Sequence, residues 1–367
     1  MPFDLNTAYF RRWLHRTAQV VNEQSSHFTD LDAAIGDADH GANLDRGFTA
    51  AAAAIAKDEP ACPGALLTTV GSVLTNTVGG ASGPLFGTVL RRMGKKLGEA
   101  ETVTAEALGE ALAAALASVQ RLGDAVPGDK TLVDALAPAV AAYATALESG
   151  ARTEDALRAA AVAAREGAEA TAALQARRGR ASYLGERSIG HPDPGATSTA
   201  IILTALYEAT DRDVCSTSAP QGSARAEEAS LDRTAPDRVG IVLVSHSREV
   251  AAATAELAKA LTGMDDPAPI AAAGGTEDGR IGTSAELVRQ ALKEVDGGKG
   301  VAVVCDMGSA VLTLKALLAE GGLADGVRIA DTPFVEGAVA ALVTASVGGD
   351  LDMVIAAADD ARGYRKM

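Results

Sequence analysis

The sequence predicts two domains of different class: an all-helical domain, then an α/β domain with a mainly parallel central sheet. Three observations predict this. Apolar residues recur at helical spacing up to about residue 210. Residues 211–237 lose that pattern to Ser, Ala, Pro and charged residues, the composition of a linker. From 238 onward, short apolar runs alternate with helical stretches, as in βαβ units. The expected division is therefore 1–210, linker 211–237, and 238–367.

In the first domain eight segments carry the helical period: 6–34, 44–56, 64–77, 82–98, 103–121, 131–148, 154–176 and 195–209. No alternating strand pattern competes. Several breaks between them are clusters of Gly with Asp, Ser or Lys: "IGDADHGAN", "TVGGASGPLFG", "AVPGDKT" and "GERSIGHPDPGATS". In a bundle, alternate loops lie at the same end, so such junctions can converge. In the second domain "VGIVLVS", "PIAAAGG", "VAVVCD" and "GVRIAD" read as buried strands. Helices are expected over 247–262, 283–296, 309–320 and 335–346, with a last one around "LDMVIAAADDAR".

Composition narrows the function. The 367 residues carry a formal net charge of −15, and both domains are acidic, which argues against nucleic-acid binding. Only 3% of the residues are aromatic, so the cores are built from Ala, Leu and Val. The three cysteines, Cys62, Cys215 and Cys305, are odd in number and show no metal spacing. The N-terminus lacks a signal-peptide apolar region, and no apolar run is long enough to span a bilayer. A cytoplasmic protein with no membrane partner is expected.

Asp32, Asp37 and Asp39 fall within eight residues, and Gly36 and Gly41 argue against a continuous helix across them. Three carboxylates this close repel unless a cation compensates, and an all-oxygen set suits Mg²⁺. Taken alone, the cluster reads equally as an acidic helix cap. Gly79, Gly80, Ser82 and Gly83 precede the next helix, where free backbone N–H groups can hold phosphate. "GDKT" opens another helix, and a fourth cluster carries Arg180, His191, Asp193 and Gly195.

In combination, "DLDAAIGDADHGANLDRG", "GGASGPLFG", "GDKTLVDAL" and "RGRASYLGERSIGHPDPGA" resemble the L subunit of dihydroxyacetone kinase, in order across 1–210. The resemblance implies an eight-helix barrel. It implies two Mg²⁺ ions held by Asp32, Asp37 and Asp39, and a tightly bound ADP or ATP. The nucleotide would be met by His40, Gly41, Ala42 and Asn43, by Ala81 and Ser82, by Arg180, and by Asp193, Pro194 and Gly195. Gly123 and Leu132 would lie at its edge. Ala38 departs from the family, where Gly is frequent; it matters only if that position needs a positive φ.

In the second domain His246 directly follows the first strand, at the carboxyl edge where ligands of open α/β sheets sit. A partly unprotonated imidazole there can accept a phosphoryl group, although for a lone histidine the reading as a polar cap of the next helix is favoured. "VSHS", "AAGG", "IGTS", "DMGSA" and "PFVEGA" together resemble the phosphotransferase-type M subunit of dihydroxyacetone kinase, in its mannose-family enzyme IIA-like domain. The resemblance implies that His246 becomes phosphohistidine, with Asp306 and Ser309 orienting or neutralising it.

The two resemblances imply one phosphoryl path. Phosphate from phosphoenolpyruvate reaches His246 through the separate carrier HPr, since the chain ends at Met367. It then passes to ADP on the first domain, and on to dihydroxyacetone held by a separate K subunit. A homodimer through the second domain is expected. Two alternatives are an ATP-exchanging kinase component for another small hydroxy ketone or acyl substrate, and a regulatory phosphorelay module.

Overall fold

The structure, a computed structural model, describes residues 4–57, 60–211, 238–320 and 326–363. The chain divides into two compact units, Met1–Ser223 and Ala224–Met367. The interval read as a linker lies, from 212 to 237, outside the described residues.

The described part of the first unit is almost wholly helical. Its helices are α1 (Thr7–Glu23), α2 (Ser25–Ile35), α3 (His40–Lys57), α4 (Pro63–Thr77), α5 (Ser82–Leu97), α6 (Ala105–Gly123), α7 (Val133–Glu148), α8 (Thr153–Ala170) and α9 (Pro194–Glu208). Two departures from the sequence reading stand out. The segment 6–34 is two helices, because the backbone leaves the helical region at Gln24 (φ −107, ψ 9). A two-residue strand, β1 (Leu5–Asn6), pairs antiparallel with β2 (Thr102–Val103). The first break has neither Gly nor Pro to announce it, and two residues are too few to display a strand period.

Local chemistry fixes several helix starts. The Asn6 side chain accepts from the Tyr9 N–H at 3.1 Å, and Thr104 does the same for Ala107. Asp193 caps α9, with Pro194 as its first residue. Packing neighbours then run in sequence. α1 lies against α3 and α9, and each helix from α3 to α8 lies against the next. α2 lies against α3 and α9.

Scarce aromatics are spent in the core. Trp13, Phe10 and Phe28 are buried there, and Trp13 Nε1 donates to the Ile202 carbonyl at 3.0 Å. Elsewhere closeness substitutes for bulk. Along the α4–α5 seam, a Cβ added at Gly64, Gly71, Gly87 or Gly94 would fall 2.0–2.6 Å from atoms across the seam. Only hydrogen fits at these four positions, which lets the two backbones approach.

The second unit is a three-layer α/β/α fold. Its strands are β3 (Gly240–Ser245), β4 (Ile270–Gly274), β5 (Val301–Cys305) and β6 (Val327–Ala330), and its helices α10 (Arg248–Thr262), α11 (Ala285–Val295), α12 (Gly308–Glu320), α13 (Phe334–Ser346) and α14 (Leu351–Asp360). All pairings are parallel, in the order β4-β3-β5-β6. β3 is buried on both faces: Ile241 and Leu243 pack with α10, α13 and α14, and Val242 and Val244 with α11 and α12. The strand order reverses beside β3, so its carboxyl end is a switch point where a crevice opens.

Candidate functional site

In the first unit the break between α2 and α3 gathers the acidic cluster. Asp32 lies in the last turn of α2, with Asp37 and Asp39 on the loop before α3. Asp32 Oδ2 accepts from the backbone N–H groups of Asp39, at 2.9 Å, and His40, at 3.2 Å. One carboxylate thus caps the next helix. Gly36 is needed here, because a Cβ would fall 2.0 Å from Asp32 Oδ1. One ligand oxygen from each of Asp32, Asp37 and Asp39 lies within 4.8 Å of the others. That spacing and an all-oxygen donor set fit Mg²⁺. Arg180 forms an ion pair with Asp37. Ala38 has φ +61, the left-handed region, so the departure from Gly noted in the sequence carries strain.

Around the cluster, three helix starts meet at His40. Its Nδ1 lies 3.1 Å from Ser82 Oγ at the start of α5, and its Nε2 3.0 Å from Ser198 Oγ on α9. Ser198 directs its single proton to the Gly195 carbonyl at 3.1 Å. With the Ser198 proton on that carbonyl, Nε2 donates to Ser198 and Nδ1 accepts from Ser82. Burial pushes the His40 pKa down to about 4, against the pull of Asp32, so the ring is neutral. Asn43 packs on the Gly79 backbone, where a Cβ would meet its side chain at 2.8 Å. Ala42 is exposed, and Gly41 is buried against the Ser25 carbonyl.

The other expected nucleotide residues border this region. Asp193 Oδ2 accepts from Ala196 N–H at 2.7 Å. Burial raises its pKa to about 7, the Ala196 N–H opposes this, and Asp134 and Asp32 add to the rise. An added Cβ on Gly195 would lie 3.7 Å from Leu132, so these two are neighbours. The Leu132 side chain, however, is buried in the apolar core, which leaves only its backbone for an edge role. Gly123 ends α6 beside Leu85 on α5.

In the second unit His246 stands at the switch point, 5% exposed. Asp306, just past β5, accepts from His246 Nδ1 at 2.9 Å, from its backbone N–H at 2.8 Å, and from Ser245 Oγ at 2.9 Å. Burial raises the Asp306 carboxyl, but these hydrogen bonds outweigh it and hold the group below its usual value. An ionised carboxylate only accepts, so Nδ1 carries the proton and Nε2 the lone pair. Ser309 Oγ, in the first turn of α12, donates to Nε2 at 2.7 Å, and Thr283 Oγ1 lies 3.5 Å away. This geometry leaves the Nε2 lone pair toward a helix N-terminus, an arrangement able to serve a nucleophile that meets an anion.

Two family models match the chain, one within each unit. The DAK2 domain matches residues 34–208, and the PTS system fructose IIA component matches 240–355. The ADP-binding subunit DhaL of the PEP-dependent dihydroxyacetone kinase of Escherichia coli K12 is 41% identical over 194 residues, covering 53% of this chain and 92% of that subunit. The chain belongs to the DAK2-domain family. A DhaL of Listeria innocua is 40% identical to it, over 57% of this chain and 98% of that subunit. The L-erythrulose kinase of Pectobacterium atrosepticum is 36% identical, over 58% of this chain and 37% of that enzyme.

Sequence reasoning missed several residues that shape the DAK2 domain's site. Ser198 lies one turn beyond Gly195 in "PGATS", a signal that could have been followed. Lys130 and Asp134 stand in "GDKTLVDAL", where the pattern alone gives them no role. Asp134 accepts from the N–H groups of Gly128, at 2.5 Å, and Thr131, at 2.7 Å, and so shapes the loop before α7. In the IIA-like domain Ser245 and Thr283 were missed, because their partners, Asp306 and His246 respectively, lie far from them along the chain.

Proposed function

We propose that this chain is the nucleotide-binding component of a phosphotransferase-fed dihydroxyacetone kinase, with its phosphohistidine domain fused to it. One observation carries the reading: a single chain joins an acidic, Mg²⁺-fitting cluster beside glycine-rich helix starts to a histidine held as a nucleophile by Asp306. The DhaL relatives, ADP-binding subunits of PEP-dependent dihydroxyacetone kinases, support it.

The chemistry follows from the residues. His246 Nε2 attacks the phosphorus of a phosphocarrier such as HPr, and the carrier's nitrogen leaves with the bonding pair. Asp306 stabilises the imidazole through Nδ1–H, and Ser309 gives up its hydrogen bond to Nε2 as the N–P bond forms. A β-phosphate oxygen of ADP then takes the phosphoryl group, and Nε2 recovers its lone pair. On the DAK2 domain Asp32, Asp37 and Asp39 would hold Mg²⁺, which neutralises phosphate charge. His40, Asn43, Ala81, Ser82, Arg180 and Asp193 to Gly195 surround the nucleotide, with Gly123 and Leu132 at its edge. Arg180 transfers its charge from Asp37 to a phosphate. Dihydroxyacetone is held by a separate K subunit, and the second unit forms a homodimer. The helical unit is an eight-helix barrel. What supports the barrel is the ring of neighbours α1, α3 to α9 and back to α1, with α2 outside it.

The test supplies phosphoenolpyruvate, enzyme I, HPr, ADP, K subunit and dihydroxyacetone. His246→Ala abolishes phosphorylation of dihydroxyacetone, and excess ATP restores one turnover per exchanged nucleotide. Wild-type protein that takes no label from HPr overturns the reading. The similarity to L-erythrulose kinase favours a second reading, an ATP-exchanging component for a longer hydroxy ketone. Full activity of His246→Ala on ATP alone, with erythrulose preferred, selects it.

A further inference from the structure

Lys130 lies in the loop before α7, with φ +63, a backbone conformation rare for a side chain of its kind. It is 1% exposed. Its Nζ donates to four backbone carbonyls: Thr171 at 2.9 Å, Leu174 at 3.0 Å, Ser188 at 2.8 Å and His191 at 2.6 Å. An ammonium has three protons, so at least one is shared among these acceptors. The carbonyls come from both limbs of the segment between α8 and α9, two from the incoming limb and two from the outgoing one. That segment holds only short 3₁₀ turns, Thr171–Ala173 and Arg180–Ser188, the second kinked at Gly185. It carries Arg180 to Asp37 and ends on the Asp193 cap of α9.

A fully buried ammonium is costly unless its donors are satisfied, and here all are met by carbonyl oxygens. Four converging carbonyls without a cation would repel one another. This is the ligand set that binds K⁺ when carbonyls replace its hydration shell. We infer that Lys130 is a tethered monovalent cation: its ammonium fills a carbonyl cage that shapes the 171–193 segment, and free ammonium or K⁺ can stand in for it. Lys130 is thus a positioning residue, with no contact to the reacting groups. Its effect on the site rests on the nucleotide reading above, whereas the cage does not.

The experiment uses the full chain as wild type, Lys130→Ala and Lys130→Met, the last keeping the apolar stem. Each is placed in ammonium, K⁺ or tetramethylammonium chloride at equal ionic strength. Two quantities are read: the rate of tryptic cleavage after Arg177, Arg180 and Arg187, and the affinity for MgADP by calorimetry. In tetramethylammonium, too large for the cage, Lys130→Ala is cleaved at least about tenfold faster than wild type and binds MgADP at least about tenfold more weakly, as expected for loss of a charged hydrogen-bonding anchor. Ammonium or K⁺ restores both readings in Lys130→Ala and leaves wild type unmoved. Unchanged cleavage in the variants overturns the inference. So does faster cleavage that no small cation slows, or loss of the helical fold in both variants without recovery in ammonium. Restored protection in a chain whose wild type binds no MgADP supports the cage and overturns the nucleotide reading instead.

Discussion

At Ala38 the chain keeps a methyl group where the loop between two metal-fitting aspartates turns through φ +61. An L-residue there costs about 1–2 kcal/mol relative to Gly, part of which Gly returns as unfolded-chain entropy. Ala38→Gly is therefore expected to stabilise the helical unit by about 0.5–1 kcal/mol, a rise in Tm of about 2–3 °C by calorimetry. A fall in Tm would show that the methyl group packs usefully. Asp306 is the second residue-scale test. Asn at 306 can turn its NH₂ toward Nδ1, which moves the ring proton to Nε2 and removes the attacking lone pair. Asp306→Asn should slow labelling of His246 by about 100-fold or more. The carboxyl also links stability to pH. Its folded pKa is lowered, so its stabilisation is present above the unfolded value of about 3.9 and lost as pH falls through the folded one. Acid unfolding of the α/β unit should be shallower in Asp306→Asn. An unchanged acid limb would remove Asp306 from that role.

Among elements, the α4–α5 seam makes the most exposed commitment. A Cβ at Gly94 would fall 2.5 Å from the Gly64 carbonyl oxygen, a backbone atom that cannot step aside. Gly94→Ala should destabilise the helical unit by about 2 kcal/mol, read from chemical denaturation. A change below the error of that measurement would mean that the helices part freely. The elements also separate what the sequence could tell from what it could not. Helices α3 to α9 were legible because their apolar residues repeat with the helical period, and strands β3 to β6 because each falls in a short apolar run between helical stretches. The Asp cluster and His246 were legible because they interrupt that period with groups that need partners. The break at Gln24 was not, since it is set by packing and no residue there forbids a helix. Lys130 was not, since a lysine is exposed by default and only the fold supplies four carbonyls to bury it.

Across the whole molecule, each unit has its own core: one spans residues from Leu5 to Ala209, the others residues from Val239 to Ala358. Separately expressed pieces should therefore fold. On the proposed phosphoryl path, joining donor and acceptor in one chain raises the concentration each sees of the other. With a millimolar effective concentration, severed pieces mixed near 10 µM should pass phosphate from His246 to ADP about 100-fold more slowly than the intact chain. Equal rates would assign the transfer to encounters between chains.

The contact of α1 with α9 sets a schedule for synthesis. Trp13 donates to a carbonyl 189 residues further on, and the Tyr9 hydroxyl reaches one 197 residues on. At about 5–20 residues per second, a ribosome needs about 10–40 s to make that stretch. During that interval the side of the first helix that meets α9 has no partner to close against. The nascent chain, more than the finished protein, is where a holding chaperone would find this molecule.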